Sequence, residues 1–193
     1  MADKKLASTF PNMVIVLFII ALVSALALAF TFSITEEPRK QVKIQKTLNA
    51  LREVLPEFNN QPNEEKYNVE GYEELEFYPA KKDGQPVGTA IKTYSDKSFN
   101  ERIWIMVGFD KDNKINKTKV LEQKETPGLG TKITEPRFRS QFEGKDPASF
   151  TLKVKKDGGN VDAITAATIT SRAFCEAAER AYRALLEGKG GKK

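Results

Sequence analysis

The chain has 193 residues, of which 31 are Lys or Arg and 26 are Asp or Glu, giving a net charge of +5; it has one cysteine and no histidine. Without histidine, Ser-His-Asp triads, Cys-His pairs and the usual zinc sites are excluded within the chain, and the lone Cys175 can form neither an internal disulfide nor an iron–sulfur site by itself. Acids and bases are interspersed, so no basic stripe argues for nucleic acid.

In chain order, the first signal is the stretch from Leu6 to Thr35, which carries no charged residue. From Met13 to Ile34 it is apolar apart from Ser24, Thr31 and Ser33. About 20 apolar residues cross a bilayer as a helix, so this run predicts a single membrane span. A cleaved signal peptide is the competing reading, since Lys4 and Lys5 precede the run and Ala27-Leu28-Ala29 has the small-residue pattern of a cleavage site. The apolar run continues past that point, which favours an uncleaved anchor.

Beyond the anchor, Ile44, Leu48, Leu51 and Leu55 recur at helical spacing until Pro56, predicting a stalk helix over 42–55. Residues 58–68 are polar, contain Pro62 and read as a loop. Four strand-like stretches follow, at 74–78, 87–94, 103–109 and 115–121. Asp83-Gly84 joins the first pair as a hairpin, and residues 110–114 join the second. Phe150, Leu152 and Val154 alternate with polar residues and predict one more half-buried strand over 150–155. Phe174, Ala178, Ala181 and Leu185 line one face of a closing helix over 171–187, with Cys175 as a small buried hydrophobe beside them. The whole predicts an α+β chain: residues 1–35 as N-terminus and transmembrane anchor, 36–60 as stalk helix and linker, 61–187 as an antiparallel-sheet domain with flanking helices, and 188–193 as a disordered Gly/Lys tail.

Two connections carry the chemistry. In Glu125-Thr-Pro-Gly-Leu-Gly130, Pro127 and Gly128 specify a tight turn, Gly130 allows close approach, and Leu129 offers an apolar face. In the run from Asp162 to Ser171, Thr165, Thr168 and Thr170 place hydroxyls near the start of the last helix. That is the make-up of an ordinary hydroxyl-rich cap, and equally of a helix terminus suited to a phosphate.

The wording of both stretches resembles the FMN-binding domain family. Asp162-Ala-Ile-Thr-Ala-Ala-Thr168 is similar to its flavinylation motif, with Thr165 at the Ser/Thr position, Ala167 at the Ala position and Thr168 at the acceptor position. The motif's Gly is replaced by Ala166, whose methyl would crowd a turn that needs positive φ. Glu125 to Gly130 resembles the Glu-Thr-Pro-Gly-Leu-Gly loop of the same family. The resemblance implies FMN joined through its phosphate to Thr168 by a flavin transferase that takes it from FAD. Glu125, Thr126, Gly128, Leu129, Gly130, Thr165 and Thr170 are then cofactor-binding candidates, Asp162 and Ala167 are read by the transferase, and no metal is implied.

Within the family the chain is most similar to G subunits of Rnf ion-translocating ferredoxin:NAD+ oxidoreductases. That implies an electron relay working with the other membrane subunits of such a complex, anchored in a prokaryotic cytoplasmic membrane with its FMN domain outside. Charge counts alone favour the opposite orientation, since Arg39, Lys40, Lys43 and Lys46 follow the span and only Lys4 and Lys5 precede it. Two alternatives stay open: a C-type subunit of the Na+-translocating NADH:quinone reductase, and a non-flavinylated anchored assembly or binding subunit. Secondary candidates are Trp104, as a core residue or a ring to stack on the flavin, and Glu122, Lys124 and Lys132 as charges near it.

Overall fold

The computed structural model describes residues 9–190, in two compact units that divide after Gln45. Helix α1, Phe10–Val54, runs from the first unit into the second. In the first unit its large apolar side chains, among them Leu17, Phe18, Leu28 and Phe30, are exposed. The helix is long and apolar enough to cross a membrane. The predicted stalk helix is not a separate element but the continuation of α1, which carries Pro38 in its interior. Proline's fixed φ is helical, but inside a helix proline removes one hydrogen bond and crowds the carbonyl four residues earlier, here that of Ile34. Nearby, Thr35 Oγ1 donates to the Thr31 carbonyl at 2.8 Å and Lys40 pairs with Glu36 at 2.8 Å.

The second unit is built on a five-stranded antiparallel meander in sequence order. Its strands are β1 (Tyr67–Val69), β2 (Tyr72–Lys82), β3 (Gln85–Ser95), β4 (Ile103–Asp110) and β5 (Ile115–Glu122). The hairpin read at Asp83-Gly84 is present, with φ of +53° and +78° at the two residues, as a two-residue turn between twisted strands requires. β1 is a short edge strand that begins in the last two residues of the predicted loop, and Asn68 Nδ2 holds it by donating to the carbonyls of Glu73 and Leu75.

Side chains alternate across the sheet. Ile103, Ile105, Val107 and Phe109 of β4 join Leu75, Phe77 and Ile91 in the core under helix α3, Thr168–Gly190. Ala173, Ala177, Ala181 and Ala184 keep that helix close to the sheet, and Thr93 Oγ1 reaches the Ala177 carbonyl at 3.1 Å. Phe174 meets Phe138 edge to face and Phe142 at a tilt, with centroid distances of 5.2 and 5.0 Å. Phe138 and Phe142 come from helix α2, Pro136–Arg139, and the 3-10 turn that follows it. On the other face, Tyr78, Ala80, Ala90 and Met106 pack against Ala50, Leu51, Val54 and Leu55 at the end of α1.

That end is also held by charge. Glu53 bonds Lys119 of β5 at 2.6 Å and Arg139 of α2 at 2.8 Å. Burial works against the Glu53 carboxylate, but these cations hold it below the ordinary carboxylate range.

The predicted strand over 150–155 is not formed. Leu152 and Val154 are buried as the alternation required, but their segment pairs locally. Lys155 N–H donates to the Val161 carbonyl at 2.8 Å and Val161 N–H to the Lys153 carbonyl at 3.0 Å. A 3-10 turn over Lys155–Asp157 closes this short loop before any ladder to the sheet can form. At the C-terminus α3 continues to Gly190, beyond the predicted start of the tail, and residues 191–193 lie outside the described residues.

Candidate functional site

The two motifs meet. The connection after β5 and the start of α3 line one cleft of about 410 Å3, formed by Phe99, Glu125, Thr126, Leu129, Gly130 and residues 166–170. What joins them is a buried carboxylate. Glu125 is 5% exposed, its Oε2 accepts from Thr170 Oγ1 at 2.6 Å, and its Oε1 accepts from the Phe99 N–H at 3.1 Å. No cation pairs with Glu125 among the described residues, so the two neutral donors stand in for the lost hydration.

Gly130 makes this contact possible. A Cβ there would lie 2.5 Å from Glu125 Oε2 and 3.0 Å from Thr170 Oγ1. The close approach that sequence reserved for a flat ligand is therefore taken, at Gly130, by the chain's own side chains. Gly128 does not line the cleft. It has a φ of +75° in the turn where Leu129 N–H returns to the Thr126 carbonyl at 3.1 Å.

Helix α3 starts at Thr168, three residues before the predicted 171. Its capping position is thus Ala167, which has no side-chain acceptor, so the threonines do not form the ordinary hydroxyl cap. Among the described residues the Thr168, Ile169 and Thr170 N–H groups have no hydrogen-bond acceptor, and neither does the Thr168 hydroxyl. Thr168 is half-buried on the cleft wall, Thr170 is buried on Glu125, and Thr165 is exposed. The turn ahead of the helix closes through Ala167 N–H to the Ile164 carbonyl at 3.0 Å, and Ala166 within it has a φ of +62°.

Thr165 and Asp162 face away from this cleft, onto a neighbouring one of about 440 Å3 that also holds Lys132, Arg137 and Gln141. The exposed Asp162 pairs with Lys155 at 2.8 Å, and its N–H donates to Gln141 Oε1 at 2.7 Å.

Three cleft residues were not among the candidates: Phe99, Ala166 and Ile169. Phe99 (62% exposed), Leu129 (40%) and Ile169 (47%) give the rim of the cleft an apolar character. Phe99 and Leu129 were visible as single large apolar residues in connections and Ile169 as one between two threonines at the start of α3, a weak cue in any one place.

Among the secondary candidates, Trp104 is neither fully buried nor on this cleft. It lies half-buried beside Tyr94 at 5.1 Å, with Arg102 and Lys92 over its ring. Lys124 is held by Glu101 at 2.7 Å, and Glu122 is exposed. Cys175 is buried, and that burial, reinforced by Asp157 and Glu179, pushes its thiol up to about 12.

The FMN-binding domain family matches residues 99–183, which takes in every lining residue of the cleft. The G subunit of the ion-translocating oxidoreductase complex of Vibrio cholerae is 32% identical, in an alignment covering 86% of this chain and 86% of that protein. The G subunit of the Na(+)-translocating ferredoxin:NAD(+) oxidoreductase complex of Acetobacterium woodii is 33% identical over 82% of this chain and 83% of its own length. Among solved structures, NqrC of Shewanella oneidensis aligns over 61% of this chain and 63% of its own, with 23% identity and a TM-score of 0.48. With this identity to G subunits over most of both lengths, and with the family match lying on the cleft itself, the chain belongs to the FMN-binding domain family, among the G subunits of ion-translocating oxidoreductase complexes.

Proposed function

We propose that this chain is the membrane-anchored flavoprotein subunit of an Rnf-type ferredoxin:NAD+ oxidoreductase, with FMN held through a phosphoester to Thr168 and the domain on the extracytoplasmic side. The observation that carries the reading is the cleft, on which both family motifs converge although some forty residues separate them. The residues present fit the group. The half-buried Thr168 hydroxyl is unbonded, the first N–H groups of α3 are uncapped and favour a phosphate's charge, and Leu129, Ile169 and Phe99 give apolar contact for a flat ring.

Bound FMN supplies the one- and two-electron redox chemistry that this chain, without histidine or metal-binding clusters among its described residues, has no side chains to perform. The chain's own residues tether and orient. Thr168 Oγ1 forms the bond to the FMN phosphorus while the pyrophosphate bond of FAD breaks; AMP leaves and the hydroxyl proton passes to a base of the transferase. Of the two positions assigned to recognition by the transferase, Asp162 is exposed, whereas Ala167 is buried and acts through the shape of the turn. Glu125 fixes the cleft wall by accepting from the Thr170 hydroxyl and the Phe99 N–H.

Electrons then pass between neighbouring subunits of the complex through this domain. The test is to co-express the full chain with a flavin transferase and look for flavin fluorescence that co-migrates with the denatured chain. Covalent flavin supports the reading. A chain that stays colourless beside an active transferase overturns it in favour of a non-flavinylated assembly subunit.

A further inference from the structure

Ser171 lies in the first turn of α3, is fully buried, and makes two hydrogen bonds that lead back to the acceptor segment. Its Oγ accepts from the Ile164 N–H at 3.0 Å and donates to the Ala167 carbonyl at 2.9 Å. Those two residues are the ends of the turn that Ala167 N–H closes onto the Ile164 carbonyl. One hydroxyl therefore grips both ends of the turn, and inside it Ala166 is kept at a φ that a residue with a side chain rarely adopts. A hydroxyl at position 167 would cap the helix in the ordinary way and bond the first N–H groups. Here the hydroxyl sits inside the helix and bonds backward, which closes the turn and leaves both those N–H groups and the Thr168 side chain unbonded.

We propose that Ser171 is the positioning residue for flavin attachment: by clamping the turn from Ile164 to Ala167 it presents the Thr168 hydroxyl, rather than that of Thr165 or Thr170, for phosphoester formation. This rests on the reading of Thr168 as acceptor. Thr170 is withdrawn by its bond to Glu125, and Thr165 is turned to the neighbouring cleft only while the turn keeps its shape. Removing the clamp frees Ile164 N–H and the Ala167 carbonyl together and lets the turn relax toward ordinary φ values.

The experiment follows flavin incorporation with time into the full chain, co-expressed with the transferase, and maps the modified peptide in unaltered, Ser171→Ala, Ser171→Cys and Ser171→Thr forms. Loss of two hydrogen bonds predicts that Ser171→Ala slows incorporation by about tenfold and spreads the adduct from Thr168 to Thr165. Ser171→Thr, which keeps the oxygen, should recover most of the rate, and Ser171→Cys should fall between Thr and Ala. A residue needed only for stability would lower the yield of folded protein without moving the adduct. Incorporation by Ser171→Ala at the unaltered rate and solely on Thr168 would overturn the proposal; should that variant not fold, Ser171→Cys matching the unaltered chain in rate and adduct position does the same. An unaltered chain that carries no adduct, or carries it elsewhere, would overturn the acceptor assignment itself, and with it the role of Ser171.

Discussion

Ala166 has a φ of +62° two residues before the proposed acceptor, at the position where the motif it resembles has glycine. The left-handed region costs a residue with a Cβ about 1–2 kcal/mol, and glycine gives back part of that gain through its greater freedom in the unfolded chain. Ala166→Gly should therefore raise stability by about 0.5–1 kcal/mol, read as a higher melting temperature, and should leave flavin attachment intact. A lower melting temperature would mean that the turn is not under strain. The need for positive φ was legible in the sequence, because the departure from glycine fell inside an otherwise matching motif. The role of Ser171 was not, since nothing in the string Thr170-Ser171 distinguishes a hydroxyl that caps a helix from one that bonds backward. Cys175 was read as a small hydrophobe, and its buried, proton-holding thiol agrees.

At the scale of elements, sequence periodicity located β2 to β5 and the buried face of α3, because alternation and helical spacing are local properties of the chain. It failed over 150–155, where alternation reported burial correctly but could not report that Val161 would supply the backbone partners. It also missed α2 and the two 3-10 turns beside it, which are too short for a helical pattern to repeat. The contact between the Glu125 loop and α3 was equally illegible as geometry, although the pairing of the two motifs hinted at it. That contact can be broken from the glycine side. Gly130→Ala would drive its methyl into Glu125 and the Thr170 hydroxyl. It should cost about 1–3 kcal/mol of stability, as overpacking does, and should lower flavin incorporation. Gly128→Val meets open space but a φ of +75°, so it should cost about 1–2 kcal/mol through backbone strain alone, without disturbing the Thr170–Glu125 bond. Denaturant melts of the two variants, with and without flavin, separate these causes; equal effects on both quantities would contradict the assignment of Gly130 to the contact.

At the scale of the whole molecule, the apolar length of α1 and the core of the second unit are separable in sequence, but their boundary does not fall where composition changes. The last turns of α1, from Ala50 to Leu55, cover Tyr78, Ala80, Ala90 and Met106 and belong to the domain's core. A truncation beginning at Glu36 should therefore be soluble and melt cooperatively, whereas one beginning at Glu57 should lose several kcal/mol and aggregate, because it uncovers that face of the sheet. If the shorter fragment is as stable as the longer one, those turns are not part of the core. The membrane-spanning role of α1 is tested in the same preparation by sedimentation with membranes after a salt wash.

Thr168 is proposed as the point where the flavin is joined. The most direct measurement is peptide mass analysis of the full chain matured beside a flavin transferase, for the unaltered protein and for Thr168→Ala and Thr168→Ser. An FMN adduct is expected on Thr168 in the unaltered chain, a reduced adduct on the serine that keeps the hydroxyl, and none in Thr168→Ala. An adduct that persists in Thr168→Ala, on Thr165 or Thr170, would contradict it.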